Sequence, residues 1–257
     1  MDDIKNTIEV AGKVLEAAPE IYEDGLKPTV KETGKTLSLI PKMINAMLSP
    51  IWEWVLHKEY NVAKTEKLLQ KKLEKIDADK IVTPEPYVAV PAIQSLQYSM
   101  DSEELRDLYA NLIAKAMNTD TKDRVHPTFV EIIKQMSPIA ALIFKMIYKS
   151  TVNPLIDLKV KKTTGGYQEY ANNIFWIYEY SYEQVAVSIN NLTRLGLIEI
   201  PYDKHYTHDD VYDSVRNNSH YKEKKEILEK LGLVEEDKKI ISKTELSELF
   251  YKICVEE

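Results

Sequence analysis

The spacing of apolar residues changes period at Asn153-Pro154, and that change limits what the chain can fold into. Before it, apolar stripes recur every three or four residues, the period of a helix. After it, Leu155 to Val160 alternates, with Ile156, Leu158 and Val160 on one side, and Gly165-Gly166 supplies a turn. Helical spacing returns over Tyr182 to Leu195 and stops at Gly196, which has the left-handed freedom a helix terminus often needs. Leu197-Ile198-Glu199-Ile200 and Lys239-Ile240-Ile241-Ser242 read as short strands, and Thr244 caps a last helix through Leu246, Leu249, Phe250 and Ile253. Together with a helix from Ser137-Pro138, this is the element order of a winged helix. Tyr182 to Leu195 would be the recognition helix and the two strands its wing. The expected fold is mainly α, with a helical N-terminal and central region packed on a C-terminal winged-helix-like α+β module.

Residues 1–83 are expected to form short amphipathic helices. Ile4, Ile8, Ala11, Leu15 and Ala18 make one stripe, and Pro19, Pro28, Pro41 and Pro50 joint the region. A better helix is expected from Val62 to Ile76, with Leu69, Leu73 and Ile76 as its apolar line. Lys64, Lys67, Lys71, Lys72 and Lys75 are expected to face water. These lysines do not make a phosphate-binding face, since residues 1–83 hold 13 basic against 14 acidic residues. Residues 84–136 form the central helical region. Pro84-Glu85-Pro86 reads as a stiff linker, Pro91 as a first-turn proline, and Asp101 as a cap to which Glu104 reaches back. Leu105, Leu108, Tyr109, Leu112 and Ile113 give the clearest helix, and His126-Pro127 opens the next. Residues 137–257 make the winged-helix-like region, with an inserted loop at about 202–237 carrying one charged helix near Lys222 to Leu231.

The chain has 257 residues and a net charge of −7, so binding DNA through phosphate charge would require a local basic face. Its one cysteine, Cys254, sits among Phe250, Ile253 and Val255 and is expected in the core. Met1-Asp2-Asp3 places acid where a secretion signal places base, so the expected location is the cytoplasm. Thr36 to Leu56 is long enough to span a bilayer, but Lys42, Asn45, Glu53 and two prolines interrupt it. Ile51, Trp52, Trp54 and Val55 remain candidates for peripheral contact with the inner membrane or with a partner, because tryptophan favours interfaces.

A helix that reads a major groove carries basic or amide side chains toward its N-terminus. Tyr182 to Leu195 offers only Gln184, Asn190, Asn191 and Arg194, the arginine at the far end, so nucleic-acid binding is not the favoured reading. His205 and His208, with Asp209 and the nearby Asp210 and Asp213, are the candidates for a metal if their segment is helical, but no second ligand cluster accompanies them. His126 beside Asp120 and Asp123 reads as a tether for a helix start rather than an acid–base group. Phosphate loops, nucleophile elbows and dinucleotide fingerprints are absent, so no catalytic set and no cofactor is expected.

Four stretches resemble the abortive-infection alpha (Abi-alpha) family of bacterial antiphage proteins: Pro86 to Met117, Val125 to Ile143, Asn190 to Ile200 (NNLTRLGLIEI), and Thr244 to Val255 (TELSELFYKICV). The resemblance implies a bacterial or prophage-borne cytosolic protein in which infection, sensed through a phage component, triggers growth arrest or death. It brings no catalytic residues. A non-enzymatic sensor or effector that works through a protein partner or self-association is the first expectation, a winged-helix DNA-binding regulator the second, and a metal-dependent nuclease the third.

Overall fold

The computed structural model describes residues 59–99 and 101–256, so the expectations placed on residues 1–58, including Ile51, Trp52, Trp54 and Val55, lie outside the described residues. The chain divides into two compact units, Met1–Gln135 with Leu249–Glu257, and Met136–Glu248.

The first unit is helical: α1 (Glu59–Leu73), α2 (Pro86–Ser99), α3 (Glu103–Ala116), α4 (Thr128–Lys134) and a C-terminal π-turn (Tyr251–Val255). Helix α3 is its axis, with Leu105, Leu108, Tyr109, Leu112 and Ile113 all buried. Buried Asn111 donates from Nδ2 to the Cys254 carbonyl at 2.9 Å, so a side chain satisfies the end of the π-turn. Burial raises the Cys254 thiol well above its usual range, as expected of a core cysteine. His126 Nδ1 accepts the Thr128 backbone N–H at 3.1 Å, which tethers the start of α4.

Three local expectations shift in this unit. The cap of α3 is Ser102, one residue after Asp101, and its Oγ accepts the Leu105 N–H at 3.2 Å. Helix α2 begins at Pro86, where a missing N–H costs nothing, and leaves Pro91 inside the helix. Tyr87, the residue four before Pro91, is exposed. Lys72 is buried at 7% exposure and pairs with Asp107 at 2.8 Å. It belongs to the stripe Thr65, Leu69, Lys72 and Leu73 that α1 packs inward, so it does not face water.

The second unit is α+β. It contains α5 (Pro138–Lys149), β1 (Pro154–Lys161), β2 (Tyr167–Ile174), α6 (Tyr182–Arg194), β3 (Ile198–Glu199), a 3₁₀ turn (Asp209–Tyr212), α7 (Asp213–Arg216), α8 (Ser219–Glu229), β4 (Val234–Ile240) and β5 (Ser242–Lys243). Helix α9 (Glu245–Phe250) starts at its end. Ser137 caps α5 as expected, accepting the Ala140 N–H at 3.1 Å. Gly196 has φ of 72° after α6, and Thr244 Oγ1 both accepts the Ser247 N–H at 3.0 Å and donates to the Gly196 carbonyl at 2.6 Å.

β1 is the middle strand of an antiparallel sheet of order β2-β1-β4, while β3 and β5 form a separate two-stranded flap. Ile156, Leu158 and Val160 of β1 pack with Tyr212, Val215 and Leu228 from the turn, α7 and α8. The segment expected as an insertion with one charged helix therefore supplies one cover of this sheet as well as the first part of β4. β4, VEEDKKI, escapes an alternation test because its charged side chains are paired with residues of β1 and α7. Lys159 meets Asp237 at 3.3 Å, and Arg216 meets Glu236 at 2.8 Å. Charge along an edge strand also discourages pairing with another chain.

Asp107→Ala should strand the Lys72 ammonium in the first unit's core and lower stability by about 3 kcal/mol in urea unfolding. The double change Lys72→Met with Asp107→Leu should recover most of that loss.

Candidate functional site

Helix α6 is the element that sequence reasoning singled out, and a chain of polar contacts fixes its position. Asp157 on β1 is 1% exposed, a charge the fold must neutralise. Its Oδ1 accepts the Asn173 backbone N–H at 2.7 Å, and its Oδ2 pairs with Lys239 on β4. Asn173 sits at φ 59°, a left-handed conformation that asparagine tolerates better than most residues. From there its Nδ2 donates to Asn190 Oδ1 on α6 at 2.8 Å. The hydroxyl of Tyr182 adds a second link, accepting the Asn172 N–H at 2.8 Å and donating to the Asn172 carbonyl at 2.9 Å. Two of the three expected base-reading amides are thereby engaged within the fold. Gln184 closes a capping box with Ser181, its Oε1 accepting the Ser181 N–H at 3.1 Å. Asn190 is held by Asn173, and the Asn191 side-chain carbonyl is buried with no hydrogen bond. Arg194 lies in the last turn, where a cation complements the helix dipole.

The N-terminal end of α6 is acidic. Glu183 is held below the usual carboxylate range by its own backbone N–H and by Lys224, 3.2 Å away. The outer face of the helix presents Val187, 66% exposed. The first turn of α6 thus offers no basic side chain to a phosphate.

The segment of His205 and His208 is not helical; His208 stands at the start of the 3₁₀ turn. Asp209 is engaged by Arg216 Nη1 at 3.0 Å and by Lys238 at 2.5 Å. Arg216 also bonds Asp213 at 3.1 Å and, through Nε, Glu236 at 3.0 Å; Glu236 in turn accepts the Tyr221 hydroxyl. These carboxylates anchor the turn and α7 to β4. Among the described residues no group of three or more His, Cys, Asp or Glu side chains could hold a metal ion. Burial works to raise Glu236, but Arg216 and Tyr221 leave it below its usual value. Arg216 and Lys238 bring Asp209 down to about 2.

In the first unit, an open cleft of about 660 Å³ lies between α2, α3 and α4, lined by Gln94, Ser95, Tyr98, Leu105, Glu131 and Lys134 among others. The buried Tyr109 phenol is pushed up to about 12 by desolvation, with Glu131 adding and Ser95 opposing. A phenol so protonated is a donor, not a base. No helix among the described residues is long and apolar enough to cross a membrane.

Sequence reasoning missed the residues that organise the second unit: Asp157, Asn173, Arg216 and Lys239. The signal for Asp157 was present, since it is the one acid in the alternating run Leu155 to Val160. Of its partners, Asn173 lies on β2, which polar composition hid, while Lys239 opens the segment Lys239 to Ser242 that was expected as a strand.

A family model described as abortive infection alpha matches residues 57–254. No curated protein and no solved structure matches the chain.

Asp157→Ala should cost about 3 kcal/mol, because Lys239 and the Asn173 N–H lose their acceptor, whereas Asn190→Ala should cost about 1 kcal/mol. Denaturant midpoints with unchanged slopes would check the contrast. Because Asp209 is depressed from 3.8 to about 2, its contribution is complete above the usual carboxylate range and disappears as pH falls through about 2. Hydrogen exchange over residues 205–216 should therefore rise in that window, and Asp209→Asn should reduce the pH dependence to the part that Glu236 carries through Arg216.

Proposed function

The chain belongs to the abortive infection alpha family, and from that premise we propose that it is a bacterial antiphage protein that works without chemistry of its own, as a sensor or effector acting through protein contacts. The observation that favours a protein partner is the state of α6: two of its three amides, Gln184 and Asn190, serve the fold, its first turn is acidic, and its outer face exposes Val187. The second unit then functions as a degenerate winged helix. α5 packs on α6, and the β3–β5 flap follows α6, while the former reading face is turned to partner binding. A phage component is the natural trigger, and Trp52 and Trp54 provide a second route of contact, toward the inner membrane.

The succession of α6 and flap also suits a winged-helix regulator, which requires DNA binding that weakens steeply with salt. A metal-dependent nuclease would have to recruit His205 and His208 away from the ion-paired turn.

The test is plaque formation on cells expressing the full chain. Expression should protect against some phage, and Val187→Glu should raise plaque counts on the order of tenfold, equivalent to about 1.4 kcal/mol of lost contact, without shifting thermal unfolding. Protection untouched by Val187→Glu, together with DNA retention at low salt, would transfer the assignment to the regulator.

A further inference from the structure

One end of the three-stranded sheet carries a feature that neither the family nor α6 explains. The register Lys161↔Tyr167 and Val160↔Val234 brings the β1–β2 turn and the α8–β4 turn together at that end. The Lys161 N–H donates to the Leu233 carbonyl at 3.0 Å, which joins the two turns directly. Gly232, at φ 156°, makes this approach available: a Cβ there would stand 3.0 Å from Val160 Cγ1. With the backbone pressed inward at Gly232, its neighbours point outward. Leu231 is 61% exposed and Leu233 63%, and Ile227 on the last turn of α8 is 48% exposed.

Charge distinguishes this patch from an ordinary exposed leucine pair. The turns Lys161 to Tyr167 (KKTTGGY) and Lys230 to Leu233 (KLGL) contain three lysines and no acid, in a chain of net charge −7. Acids flank these turns: Glu235 accepts the Tyr167 hydroxyl at 3.0 Å, Glu226 lies 3.7 Å from Lys230, and Glu229 adjoins Lys230, so the basic character of the tip rests chiefly on Lys161 and Lys162. Tyr167 itself is 46% exposed, an amphipathic ring set between leucines and lysines. Protruding aliphatic side chains, an interfacial tyrosine and a collar of lysines together match the boundary of an anionic bilayer. There the apolar tips enter the acyl region while the ammonium groups meet phosphate. A protein partner would have to offer both acids to the lysines and a fitted pocket to the two leucines of the α8–β4 turn, whereas an anionic bilayer supplies both without shape matching.

We infer that this end of the sheet is a peripheral membrane-docking tip, with Leu231 and Leu233 as the inserting side chains and Lys161, Lys162 and Lys230 contacting anionic lipid. The inference stands apart from the role given to α6.

The test is sedimentation of the full chain with vesicles of phosphatidylcholine containing phosphatidylglycerol, against vesicles of phosphatidylcholine alone. Binding should require the anionic lipid and weaken with salt. Removing the two turn lysines in Lys161→Gln with Lys162→Gln should weaken it about thirty-fold, and Leu231→Ser with Leu233→Ser at least about tenfold. All four positions are exposed, so thermal unfolding should match that of the unaltered chain. Trp52→Ser with Trp54→Ser serves as the control for a separate membrane contact. Absence of vesicle binding, equal binding to neutral vesicles, or loss only in the tryptophan variant would each overturn the inference. So would a dimer that Leu231→Ser with Leu233→Ser disperses while vesicle binding is absent, since the patch would then be covered by a second copy.

Discussion

A carboxylate placed in the middle strand of a sheet must find its counter-charges inside the protein, and Asp157 finds them on both sides. Lys239 reaches it from β4, and the Asn173 N–H reaches it from β2. One side chain thus specifies which strands flank β1 and at which positions. Water cannot do the same work, because Asp157 is 1% exposed. The sheet then determines where the turn, α7 and α8 pack, and Asn173 passes the constraint on to α6. A buried pair of this kind need not add net stability over an apolar packing. Its contribution here is register, because sliding β4 by one residue would put Lys239 on the opposite face.

The parts of the fold that follow from local chemistry were legible in the sequence. Ser137-Pro138 could only begin a helix, Gly196 could end one, and the spacing of Leu105, Leu108, Leu112 and Ile113 needed a core on one side. What escaped depends on partners distant in the chain. β2 shows no alternation and residues 234–237 of β4 fall in the segment expected as a loop, because their side chains are satisfied by partners on other elements and not by burial of an apolar face. Lys72 read as a solvated cation because Asp107, its neutralising group, lies on another helix. The α3 cap moved from Asp101 to Ser102 because both residues are competent and only the course of the chain chooses between them.

The same distinction applies to the candidate site. The sequence disclosed the poverty of base-reading groups on α6, since counting amides and arginines needs no coordinates. It could not disclose that Gln184 and Asn190 were already committed to a cap and to Asn173. A helix so placed keeps its position within the fold and gives up the polar reach that groove reading demands.

The phenol of Tyr182 closes over Asn172 by taking both its backbone N–H and its carbonyl. Those two groups would otherwise be a template on which a neighbouring molecule's strand could continue the sheet. With both groups taken, a foreign strand finds no ladder partner at this point of the edge, which discourages chain-to-chain sheet growth as the protein accumulates.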